Sequence, residues 1–120
     1  MELPDPKSGQ LVVVDVARPV QGEPAEAHAL RVKLRGALEQ GYKYILLNVA
    51  DLTYVDSVWL GAIVQGYVSA IRYGGTLKLL GASRKLRELL RVTKLDGVIE
   101  VFETEAAARA SFDARKSPPR

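Results

Sequence analysis

The chain has 120 residues, 48% hydrophobic and 26% charged, which allows one domain with a real core and not two. It has no cysteine, so disulfides and thiolate metal sites are excluded. The net charge of +3 sits partly in the closing "ARKSPPR"; without a concentrated basic footprint it predicts no nucleic-acid binding.

Residues 1–10, with Pro4, Pro6 and Gly9, read as an irregular segment or a weak edge strand. They lack the basic and apolar regions of an export signal, and no charge-free apolar run could span a bilayer. A cytoplasmic protein with no membrane partner is expected. Residues 11–16, "LVVVDV", are β-branched and almost continuously apolar, which predicts a strand covered on both faces. "ARPVQGEP" breaks the strand, and Pro24 suits a first helical turn. Ala27, Leu30, Leu34, Ala37 and Leu38 then recur at helical spacing, with Arg31, Lys33, Arg35 and Glu39 facing elsewhere. Gly41 ends that helix.

Residues 44–49, "YILLNV", form the second strand, and a helix is predicted from about Ser57 to Tyr73, stopped by Gly74 and Gly75. "TLKLL" (residues 76–80) is the third strand, closed by Gly81. Ser83 caps a basic helix from Arg84 to about Val92. "VIEVF" (residues 98–102) is the fourth strand, and "TEAAARASF" a final short helix. The pattern predicts an α/β fold: a small mixed, mostly parallel sheet of four to five strands with about four helices. The domain is expected over residues 11–113, with a disordered basic tail over 114–120.

Groups for catalysis are few. His28 is the one histidine, and a triad of His28, Ser57 and an aspartate would lack the G-x-S-x-G elbow that exposes a nucleophile. No GxGxxG or GxxxxGK[ST] loop occurs either. The expectation is a protein that is not an enzyme, with no cofactor and no metal.

The helix after "VDSVWLG" is apolar almost all round. Leu60, Val64, Tyr67 and Ile71, with Ile63 and Val68 beside them, are expected to form its core stripe. Val58, Trp59, Ala62 and Gly66 fall outside that stripe, so the helix is either buried on two sides or offers a partner surface around Trp59, the second being at least as well supported and the one adopted. Ser57 has two readings at the helix start. Its hydroxyl can cap the helix by accepting a backbone N–H. A phosphate there would instead sit at the positive end of the helix dipole, adding a charge of roughly −1.5 to −2 beside Asp56.

From "ILLNVADLTYVDSVWLG" to "TKLDGVIEVF" the chain resembles the STAS domain of bacterial anti-sigma factor antagonists. Asp51-Leu52, Asp56-Ser57, Leu60-Gly61, Gly74-Gly75, Gly81 and Ser83 stand where the family pattern has these residues, over about residues 11–112. The family's Asp-Ser-Ser-Gly-Leu-Gly is here Asp56-Ser57-Val58-Trp59-Leu60-Gly61, and its aspartate before the first helix falls at Gly22 or Glu23. The resemblance implies a phosphorylation-gated switch. Its partner is an anti-sigma factor that is also a serine-protein kinase and holds the ATP. Ser57 is the phosphoacceptor and Asp56 the acid beside it, and a phosphatase resets the system. Arg84 and Arg87 on the basic helix are expected either on a solvated outer face over a leucine stripe or as a second patch for an acidic partner. The alternative is a non-phosphorylated STAS interaction module in a stressosome-like or lipid-transport complex. A monomer or weak homodimer is expected.

Overall fold

The computed structural model describes residues 11–16, 24–52 and 54–116. Strands β1 (Leu11–Asp15), β2 (Tyr44–Asn48), β3 (Thr76–Leu80) and β4 (Val101–Phe102) form one sheet in the order β1-β2-β3-β4. All pairings among them are parallel. Each strand is followed by a helix: α1 (Pro24–Glu39), α2 (Ser57–Arg72), α3 (Arg84–Val92) and α4 (Glu105–Lys116). A parallel neighbour needs such a crossover to bring the chain back to the starting edge. The α/β architecture is the one the sequence predicts, with four strands and four helices among the described residues.

The register places Val12, Ile45 and Leu77 in one row and Val14, Leu47 and Leu79 in the next. These rows share the main core with Leu30, Leu34 and Leu38 of α1, Ala62, Ile63 and Ala70 of α2, and Leu86 and Leu90 of α3. On the other face Leu46 joins Ala108 and Phe112 of α4 in a smaller cluster. Beside Leu46 on β3 lies Lys78, which is buried. Its ammonium donates to Ser111 Oγ at 2.6 Å, pairs with Glu100 at 2.9 Å and sits 4.7 Å from the Phe112 ring centroid. A buried lysine is tolerable only with its charge met in this way, and the same bonds anchor α4. Because α4 packs over β3 and β4, β1 is less covered on that side. Val12 and Val14 are buried while Leu11 and Val13 are half-buried, so both-sided coverage of β1 is incomplete.

Two boundaries differ from the sequence reading. The fourth strand begins at Val101 and not at 98, because residues 95–99 turn on themselves. Val98 and Ile99 both donate to the Leu95 carbonyl, and the turn follows Lys94 at φ 63°. The last helix continues past Phe112, where it was expected to end, to Lys116, into the stretch expected as a disordered tail. Residues 1–10 and 117–120 lie outside the described residues, as do Gly22 and Glu23.

The stop after α2 is tightly specified. Gly74 adopts φ 89°, which glycine does without strain, and donates to the Ile71 carbonyl, while Gly75 donates to that of Ala70. Gly75 also runs against the Lys43 backbone: a methyl built on it would collide with the Lys43 carbonyl. A backbone atom held by the Thr76 N–H cannot move aside. Gly75→Ala should therefore cost at least ~2 kcal/mol of folding stability. Chemical denaturation tests this, and a variant as stable as the wild type would contradict the packing.

Candidate functional site

The site lies where β2 leads into α2, at the carboxyl ends of the strands, where open parallel sheets place their functional loops. Leu52 and Val55 are buried and pin the β2–α2 loop to the core. Asn48 ties the loop to β1, donating to Asp15 Oδ1 at 2.9 Å and accepting from the Ala50 N–H at 3.0 Å. On the β3 side, a methyl on Gly81 would come within 3.1 Å of Ala50 Cβ, so the β3–α3 turn also crowds this loop.

Asp56, not Ser57, caps α2. Its backbone is extended, and Oδ1 accepts from the Val58 and Trp59 N–H groups at 3.1 Å each. Its other oxygen, Oδ2, accepts from the Tyr54 hydroxyl at 3.2 Å. The Asp56 charge, and then this hydrogen bond, raise the Tyr54 pKa above its ordinary 10.0. Ser57 follows as the first helical residue and is exposed. Its hydroxyl has no hydrogen bond among the described residues. The capping role that the sequence offered for Ser57 is thus already filled by its neighbour.

Trp59, Ala62 and Gly66 are buried, and this corrects their expected place on a partner surface. The buried stripe of α2 is Trp59, Ala62, Ile63, Gly66 and Ala70, rotated from the expected one, while Val68 and Ile71 are nearly half exposed. Small residues are the cause, because they let α1 approach. A methyl on Gly66 would lie 2.5 Å from Leu34 Cδ1 and 3.3 Å from Leu77 Cδ1. Trp59 faces the end of β1 and the side of α1, against a cavity of about 200 Å³ shared with Asp15, Glu26, Leu30 and Lys33. Its Nε1 is buried with no hydrogen-bond partner. Val58 remains outside at 40% exposed, near Tyr54 at 46%. The exposed surface at Asp56 and Ser57 is therefore edged by Tyr54 and Val58.

Arg84 and Arg87 stand apart. They line a cleft of about 630 Å³ between α3 and β4 that shares no residue with the groove beside Ser57. Arg87 donates to Glu103 at 2.6 Å and to the Ala82 carbonyl at 3.3 Å, so its charge is largely engaged within the chain. Arg84 is exposed.

The sequence reading missed the groove between α1 and α2. It has a volume of about 900 Å³, with Ser57 and Gly61 on one wall and His28, Arg31 and Arg35 on the other. Leu60, Val64 and Val68 make it apolar, and Arg72 lines it further along. The spacing of His28, Arg31 and Arg35, three and then four residues apart, was the available signal for one cationic helix face. Among the described residues, no group of three or more potential metal ligands comes together and no helix is long and apolar enough to cross a membrane.

The four-stranded parallel sheet of the described residues, with a helix after each strand, is a fold shared with known relatives. The chain belongs to the STAS domain family, whose model matches residues 6–108. The anti-sigma-B factor antagonist of Bacillus subtilis is 35% identical over 75 residues, 62% of this chain and 68% of that protein. The NMR structure of protein TM1081 of Thermotoga maritima aligns with a TM-score of 0.73 and 26% identity, over 89% of this chain and 83% of that one. The phosphorylated form of the Bacillus cell fate determinant SpoIIAA aligns at 0.60 over 84% of each chain, and at 19% identity it shows the fold alone.

Burial of Trp59 makes it a stability residue. Trp59→Ala should cost ~3–5 kcal/mol, whereas Trp59→Phe should cost less than half as much, since it also removes the unpaired donor. Equal losses for the two variants in denaturant titrations would contradict this. Asp56→Ala should lose ~0.5–2 kcal/mol with the cap; no change in stability would mean that its two N–H bonds contribute nothing.

Proposed function

We propose that this protein is a phosphorylation-gated binding switch of the anti-sigma factor antagonist type. The observation that carries the reading is the division of labour at the start of α2. Asp56 holds the helix cap, so the Ser57 hydroxyl is exposed and free to react. The relatives named anti-sigma factor antagonists support the class of partner.

In the unmodified state the Asp56–Ser57 surface, with Tyr54 and Val58 beside it, docks on an anti-sigma factor and so releases a sigma factor. The partner is also a serine-protein kinase. It transfers the γ-phosphoryl group of its bound ATP to Ser57 Oγ, ADP leaves, and the hydroxyl proton is lost to the partner's site. The phosphate adds roughly −1.5 to −2 charges next to the Asp56 carboxylate. The helix N-terminus accommodates that charge, so the fold persists while the docking surface becomes strongly anionic. The complex then separates, and a phosphatase restores the serine. The protein itself performs no catalysis in this scheme.

Binding to the anti-sigma kinase of the same cell, measured by calorimetry, tests the reading. Ser57→Ala should bind within about twofold of the wild type, since a hydroxyl without a hydrogen bond contributes little. Ser57→Asp should bind at least ~10-fold more weakly, a loss of ~1.4 kcal/mol or more. Equal affinities for the two variants would refute a charge-gated surface.

A further inference from the structure

Arg31 lines the α1–α2 groove together with Ser57 and reaches α2 at Gly61. A methyl built on Gly61 would lie 3.6 Å from one terminal nitrogen of its guanidinium, so the fork rests against the bare backbone of α2. Gly61 follows Ser57 by four residues, which puts the two on one helix face about 6 Å apart along the axis. Arg31, Ser57, Gly61 and His28 all line the same groove.

The guanidinium is also uncommitted. Its Nε is buried and has no hydrogen-bond partner, and Arg31 forms no ion pair among the described residues. Arg87 and Arg109 differ, since each holds a glutamate at 2.6 or 2.7 Å. A planar donor fork kept beside an apolar groove, with no acceptor, suits a bidentate oxyanion.

We propose that Arg31 receives the phosphate of phosphorylated Ser57, bridging α1 to the first turn of α2; this rests on Ser57 being the phosphoacceptor. His28, one turn earlier on α1, borders the phosphate at the groove rim. Phosphorylation then does more than add charge. It fastens the mouth of the α1–α2 groove and occupies a guanidinium that a partner carboxylate would otherwise meet there.

The test installs phosphoserine at position 57 during translation, so no kinase is needed, and follows the second phosphate pKa by ³¹P NMR. A cation in contact favours the dianion and lowers that pKa from its ordinary value near ~6. Asp56 pushes the other way, and His28, Arg35 and the helix end also act on the phosphate. All of these remain in an Arg31→Gln variant, so the difference isolates Arg31. The phosphate of that variant should titrate about one unit higher than in the wild type. Superimposable titrations of the two folded proteins would overturn the proposal. Should Arg31→Gln fail to fold, the wild type alone decides: its Arg31 Nε–H resonance should move on phosphorylation while that of Arg72 stays, and an unmoved Arg31 resonance would refute the contact. Absence of phosphate in cells would instead refute the switch and leave these titrations unaffected.

Discussion

The approach of Gly66 to Leu34 fixes the rotation of α2, and most of the site follows from it. With no side chain at 66 and only methyls at 62 and 70, α2 lies close against α1 and over β3. That rotation sends Trp59 inward and leaves Ser57 and Val58 outward. It also brings Gly61 under the Arg31 fork. Packing density in a core this size leaves little freedom for another rotation. The functional geometry is therefore a product of helix–helix packing, in which the serine has no part.

The second constraint is local. Two adjacent residues, Asp56 and Ser57, can each cap a helix, and only one can occupy the position with extended backbone. Here the carboxylate takes it, satisfying two N–H groups with one oxygen and the Tyr54 hydroxyl with the other. The hydroxyl is then spare. A modification of Ser57 would add charge without removing a bond that the helix needs, which separates signalling from stability.

The order of elements was legible in the sequence because each strand is a short, mostly apolar run and each helix is bounded by glycine, proline or serine. Gly41 and Gly74 mark helix ends by their positive φ, as expected. On α3, charges separate cleanly from leucines, and Leu86 and Leu90 are buried accordingly. The face of α2 was not legible. A helix apolar on nearly every side gives periodicity little to choose from, and the larger residues were taken for the core. Ala62, Gly66 and Ala70 are buried because they are small, a property that depends on the neighbouring helix and not on α2. The shortened β4 was missed for a similar reason, since Val98 and Ile99 have strand composition yet close a turn after Lys94. Arg31 lay among ordinary surface charges until the fold set it against Gly61, in the groove that Ser57 also lines.

The central claim is that Ser57 accepts a phosphate in the cell. Its most direct test is the intact mass of the protein isolated from its own cells, beside Ser57→Ala expressed in its place. One added phosphate on a fraction of the wild type, absent from the variant, is the result expected. A wild type that never carries phosphate under any growth condition, while still binding its partner, would contradict the switch and leave a STAS module that docks without gating.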